Sequence, residues 1–315
     1  MKLLRIRLFI TTLVILIFII FIFDFIPKRK KSVFIPKDST AKYVGKILEE
    51  QRLILSKDIF RWAVYLTMSE KKIKSGYYDL YFSITALPIV YNLIRGPKIV
   101  KVTIPEGFTV EQIAQRFYSK EIISDPIEFI TYVKSKNLEG FLFPETYYFY
   151  KNQSVEEIVS KMVKEFFRKY TPELTQRAYE LKMSTYQVVI LASIIEKEAK
   201  SFKEKRLVSS VFHNRLKKGW NLESCATVRY ALKKFRGPLT YKDLEVNSKY
   251  NTYRYYGLPP SPICNPGLDS IKAALYPAET EDLFFFTPDN TTLTFSKYYK
   301  QHLEKQKQIK NRSTE

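Results

Sequence analysis

A pattern that occurs twice constrains this chain more than any other feature. Thr40, Val44, Leu48, Ile54, Ser56, Phe60 and Val64 are matched, at one constant offset, by Thr109, Ile113, Phe117, Ile123, Asp125, Phe129 and Val133. In each copy the apolar residues fall at helical spacing, with Ser56 or Asp125 placed to cap a second helix. The pattern predicts a duplicated helix-turn-helix unit. Strand-like stretches at 77–83 and 99–104 accompany it, the second followed by a turn at Pro105-Glu-Gly107. A small α+β module fits these elements.

Ahead of the repeat, residues 8–26 form an apolar run softened by Thr11, Thr12 and Asp24. Its length suits a bilayer, and no small-residue cleavage site follows, so an uncleaved transmembrane signal anchor is expected there. Residues 1–7 would be a cytoplasmic tail, and the basic, proline-punctuated 27–38 a stalk. Basic residues flank the run on both sides, so charge alone does not orient it. Lys and Arg number 52 against 32 Asp and Glu, a net charge of +20. Such a surface attracts polyanions. The lysines are spread along the chain and no nucleic-acid motif is present, so no nucleic-acid partner is expected.

From about residue 154 helices dominate: 155–168, 172–181, 184–200 and 203–217. Short helices near Thr227 and Leu268 follow, then a small hairpin at 283–287 and 293–295 around Asp289-Asn290, and a last helix from Ser296. The expected division is 39–153 for the duplicated region and 154–315 for a mainly helical domain.

The chemistry concentrates at Glu198. Val188, Leu191, Ile194 and Ile195 form one stripe of a helix and Glu198 falls within it, while Glu196 lies nearly opposite, with Val189 and Ser193. A carboxyl held against apolar surface loses water and keeps its proton toward neutral pH, which makes a general acid. Downstream lie Phe212-His-Asn-Arg-Leu-Lys-Lys-Gly219, Leu222-Glu-Ser-Cys-Ala-Thr-Val-Arg-Tyr230, and Tyr250-Asn-Thr-Tyr253 running on to Gly257-Leu-Pro-Pro-Ser-Pro-Ile-Cys-Asn-Pro-Gly267. Their Asn, Ser, Thr and Tyr groups suit hydroxyls and acetamides. No Gly-rich phosphate cradle precedes a helix, and no metal or cofactor is expected. A sugar polymer is the natural ligand, with Asn214 and Arg215 among its candidate contacts. Cys225 and Cys264, the only cysteines, are a candidate disulfide in an exported protein. Neither has the partners of a thiol nucleophile.

The segments Leu191-Ala-Ser-Ile-Ile-Glu-Lys-Glu-Ala199, Val211-Phe-His-Asn-Arg-Leu216, Tyr250-Asn-Thr-Tyr253, Gly257-Leu-Pro-Pro260, Asn265-Pro-Gly267 and Asp269-Ser-Ile-Lys-Ala-Ala274 resemble, in order and spacing, the endolytic murein transglycosylase family, also called MltG or YceG-like. The resemblance covers nearly the whole chain. It implies a single-pass protein of the inner (cytoplasmic) membrane, with a LysM-like module and a catalytic domain outside the cytoplasm. Peptidoglycan glycan strands would be the substrate, and cell-wall synthases would be partners. The family's catalytic Glu matches Glu198, and Glu196 matches a second acidic position, a candidate helper. Where many members carry Asp-Pro-Thr, this chain has Cys225-Ala-Thr227, so any role of that Asp is absent.

A glycoside hydrolase usually works with two carboxylates, whereas a lytic transglycosylase needs one. Glu198 would act first as acid and then as base, leaving a 1,6-anhydro end. Ser224, Thr227, Asn251, Tyr253 and Asn265 are the candidates for holding the glycan. The rival readings are a non-catalytic glycan-binding scaffold and a true muramidase.

Overall fold

The computed structural model describes residues 30–287 and 293–312, with positions 7, 10–12, 14, 15, 18, 19 and 22. The expected membrane-spanning helix over 8–26 is corrected here. Among the described residues no helix is long and apolar enough to cross a membrane. A span takes about 20 consecutive apolar residues, and the described positions of that stretch are too few in a row to supply them. The rest of 8–26 lies outside the described residues, as does the hairpin tip at Asp289-Asn290. Mixed α and β structure holds for the remainder.

The chain divides into two compact units. The first comprises Met1–Lys101, Lys120–Ile122 and Tyr148–Gln153, and the second Val102–Ser119, Ile123–Tyr147 and Ser154–Glu315. In the first, β1 (Lys30–Ile35) pairs antiparallel with β2 (Gly76–Tyr81), α1 (Ala41–Glu50) and α2 (Lys57–Leu66) lie between them in sequence, and α3 (Leu87–Arg95) follows. The segment expected as a stalk is thus largely a strand. Its alternation buries Val33 and Ile35 against Val44, Leu48, Phe60, Val64, Leu80 and Leu93.

The duplication extends to backbone detail. β3 (Ile99–Thr103), α4 (Val110–Ser119), α5 (Pro126–Ser135) and β4 (Thr146–Tyr150) repeat the order of the first copy, and β3 pairs with β4. Ser56 accepts from the Asp58 N–H and Asp125 from the Ile127 N–H, as capping residues do. Each copy ends its first helix on a left-handed residue, Arg52 or Glu121, and its second on Met68 or Asn137. Phe60 and Phe129 are both fully buried, each contributing about 1.5–3 kcal/mol by leaving water.

In the second unit, α6 (Val155–Lys169), α7 (Pro172–Glu180), α9 (Phe202–Lys217), α10 (Cys225–Leu232) and α12 (Leu268–Leu275) surround α8 (Thr185–Glu198). The unit also holds α4 and α5 of the second copy, a short helix α11 (Tyr241–Leu244), the hairpin β5 (Phe284–Phe286) and β6 (Thr294–Ser296), and α13 (Tyr299–Arg312). Eight consecutive residues of α8, Val188 to Ile195, are buried, the mark of a helix enclosed on every side. A capping box of Ser184 and Gln187 starts it. Ala199 turns extended and ends it, and a second box of Ser201 and Glu204 starts α9 at once. Glu198 is therefore held in the last turn of the most buried helix of the unit.

Candidate active site

Glu198 faces the start of α10. The Ser224 hydroxyl donates to its Oε1 at 2.5 Å, and the Ala226 N–H also bonds the carboxyl. Ser224 stands at the N-cap of α10 without capping the helix itself, so the Glu198 carboxyl takes an end N–H that a capping side chain would otherwise satisfy. Burial pushes the Glu198 carboxyl above the usual range, while Ser224, the Ala226 N–H and the Arg229 charge pull it partly back. The carboxyl is enclosed, yet the residue retains some accessible surface. This combination favours the protonated form and leaves its proton reachable.

The wall beside Glu198 is latched to the 250–253 loop through Thr252. The Ser224 N–H donates to the Thr252 hydroxyl at 3.0 Å, the Glu223 N–H to the Thr252 carbonyl at 3.0 Å, and the Thr252 and Thr227 hydroxyls lie 2.9 Å apart. Tyr253 brings its hydroxyl to 3.0 Å from the Cys225 thiol. Burial, the neighbouring thiol and the Glu198 and Glu223 carboxyls push this phenol far up, so it remains a neutral hydrogen-bonding group.

Of the residues expected to hold glycan, Ser224 and Tyr253 stand at the acid. The others have structural partners. Thr227 bonds the Ser224 carbonyl. Asn251 donates to the Leu244 and Val246 carbonyls and accepts the Tyr253 N–H. Asn265, fully buried, accepts from the Gly140 and Leu142 N–H groups and donates to the Phe108 carbonyl, each at 2.9 Å. Asn214 donates to the Thr280 and Asp282 carbonyls. Arg215 donates to the Leu283 and Leu222 carbonyls and to Glu223. Their amides and guanidinium organise loops, because a buried loop must find partners for its backbone groups.

Glu196, the candidate helper, belongs to a different cluster. Its carboxylate is 3.2 Å from the Lys205 ammonium and accepts the Gly267 N–H at 3.0 Å and the Ser270 hydroxyl at 2.5 Å. Ser193, one turn earlier, accepts the Ile263 N–H, and its carbonyl takes the Cys264 thiol. The proline-rich loop thus rides on this face of α8. The candidate disulfide is corrected by the same contacts: Cys225 and Cys264 are both free thiols, one exposed and one buried, each with its own partner.

Sequence reasoning missed Thr252, which sits inside the Tyr250-Asn-Thr-Tyr253 motif it had picked out. It also missed Glu139, whose carboxyl accepts the Val110 N–H and the Tyr230 hydroxyl, both at 2.9 Å. Burial raises that carboxyl to about 7. Only the run Glu139-Gly-Phe-Leu-Phe-Pro, an acid inside an aromatic turn, hinted at it. Among the described residues no cluster of His, Cys, Asp and Glu is arranged to hold a metal.

These features define a mainly helical unit that also carries most of the second repeat copy, with a desolvated, reachable carboxyl at Glu198. The chain belongs to the YceG-like family, which matches residues 33–308. It is 32% identical over 305 residues to the endolytic murein transglycosylase of Bacillus subtilis (strain 168), covering 87% of this chain and 83% of that protein. The endolytic murein transglycosylase of Streptococcus pneumoniae serotype 2 is 26% identical over 301 residues, covering 82% of this chain and 54% of that longer protein. The crystal structure of a YceG-like protein from Listeria monocytogenes superposes with a TM-score of 0.58 at 33% identity, covering 88% of this chain and 99% of that one.

Proposed function

We propose that this chain is a lytic transglycosylase acting on peptidoglycan, with Glu198 as its one acid-base group. The observation that carries the reading is the enclosed Glu198 carboxyl, raised by burial and held by Ser224 and the Ala226 N–H. The named relatives agree with it. Protonated Glu198 donates to the glycosidic oxygen between N-acetylmuramic acid and N-acetylglucosamine, and an oxocarbenium-like sugar develops. The carboxylate so formed takes the proton of that sugar's own C6 hydroxyl. The C6 oxygen bonds the anomeric carbon and leaves a 1,6-anhydro end. Because this nucleophile is already part of the substrate, no second carboxylate is needed to activate water.

Uncrosslinked nascent strands are the proposed substrate, which places the active unit on the outer side of the cytoplasmic membrane, beside the synthases that extend them. Cleavage of such strands in their interior would end glycan elongation. Protease added to spheroplasts should degrade the unit, and its survival would refute the location. Mass spectrometry of digested strands tests the chemistry. Anhydro ends are expected. Reducing ends in their place would make the protein a hydrolase, and binding without cleavage would make it a scaffold.

A further inference from the structure

The second unit has a cleft of about 660 Å³ lined by Glu139, Tyr186, Tyr230, Lys233, Phe235 and Tyr250, which none of the assignments above employs. Its walls are aromatic. The rings of Tyr230 and Tyr250 lie 5.0 Å apart at 51°, and Phe235 is 45% exposed. Glu139 holds Tyr230 through its hydroxyl, and Ser261 lies 2.6 Å from the hydroxyl of Tyr250. At the rim Glu111 pairs with Lys134 at 2.7 Å and Lys233 at 3.4 Å. Fixed aromatic faces with a mixed-charge, hydrogen-bonding rim match a pyranose ring, which offers C–H faces to stack and hydroxyls and acetamides to bond.

Its place relative to the acid is set by two helices. α10 presents the Ala226 N–H to Glu198 at its start and Tyr230 to the cleft one turn on, with Lys233 just past its end. At 1.5 Å per residue Tyr230 lies about 6 Å further along that axis, while Tyr186 of the cleft lies about 18 Å back along α8 from Glu198. A glycan whose scissile bond sits at Glu198 reaches the cleft within a few sugars. We infer that this cleft is a distal glycan subsite, with Phe235, Tyr230 and Tyr250 as its stacking platforms and Glu139 as the positioning residue that fixes Tyr230. The inference rests on peptidoglycan being the substrate.

The test uses the full chain and purified uncrosslinked glycan strands. In the Glu198→Gln protein, strand Kd is measured by calorimetry with and without Phe235→Ala. In the otherwise wild-type protein, KM and kcat are measured for the same change. Phe235 is exposed, so its loss threatens folding little. Expected is a rise of about tenfold in both Kd and KM, the loss of one modest contact, with kcat at saturating strand retained. Unchanged Kd and KM, a fall in kcat alone, or no measurable binding of strands to the Glu198→Gln protein would overturn the subsite. Failure of wild-type protein to form anhydro ends would instead strike the lytic reading, and the Kd comparison would still judge the cleft.

Discussion

Glu196 and Glu198 are two residues apart and should fail in different ways when neutralised. Glu198→Gln keeps the shape and an oxygen that can still accept from Ser224 and the Ala226 N–H, but it has no proton to give. Strand cleavage should fall by at least about a hundredfold to ten-thousandfold, the usual contribution of general acid catalysis. Stability should change little, since a desolvated carboxyl is seldom a support. Glu196→Gln removes the charge facing Lys205, which is only 3% exposed and then has Glu106, 3.8 Å away, as its remaining counter-ion. Removing one partner of a buried pair costs about 3–5 kcal/mol. Gln preserves one acceptor for Gly267 or Ser270, which favours the lower end. At about 2–4 °C per kcal/mol for a unit of this size, Tm should drop by about 6–12 °C. Below that transition the Glu196 variant should retain most of its turnover. Calorimetric melting together with counting of anhydro ends separates the two effects. A folded Glu196→Gln protein that is inactive, beside an active Glu198→Gln protein, would refute the assignment.

Other outcomes follow from the same contacts. Since Glu198 must be protonated, kcat/KM should decline as pH rises through its raised pKa, and Ser224→Ala, by removing a bond that favours the charged form, should move that alkaline limb to higher pH; a limb that stays put or moves down would refute the role of Ser224. Between about 4.5 and 7 buried Glu139 binds a proton that the unfolded chain has released, so stability should fall with rising pH, by about 3 kcal/mol in all. Glu139→Gln should flatten that slope in denaturant titrations, and an unchanged slope would assign it to other groups. Iodoacetamide should label Cys225 in the native protein and Cys264 only after unfolding, because burial removes access and pushes the Cys264 thiol up; two thiols labelled together would contradict the structure. Asn265→Ala leaves the Gly140 and Leu142 N–H groups without their acceptor, at a cost of about 1–3 kcal/mol for each, and should lower Tm while sparing KM.

The duplicated module was legible because its information is local and periodic. Helix caps and apolar spacing at one offset mark α1, α2, α4 and α5 without reference to anything distant. β1 was missed because Lys30-Lys-Ser looks like a solvated stalk, and only pairing with β2 makes a strand of it. Periodicity likewise separated Glu198 from Glu196, but it reports which residues share a helix face and is silent about what covers the opposite one. Here Ile263, Cys264 and Gly267 cover it, and they arrive from a loop distant in sequence.

The polar residues chosen as glycan contacts illustrate the same limit from the other side. An Asn or Thr in a proline-fixed loop reads alike whether it faces a ligand or braces the loop, since both uses exploit its ability to bond backbone groups. Asn265 braces, connecting the Phe108 and Gly140 turns to the loop that carries it. Ser224 sits in an equally polar segment, yet its hydroxyl turns to the acid. What separates them is whether a neighbouring backbone needs a partner, and that is fixed only once the chain has folded. The loop's rigidity therefore has its function at one remove. By clamping the back of α8 through Ser193 and Glu196, it holds the last turn in place and keeps Glu198 against the start of α10.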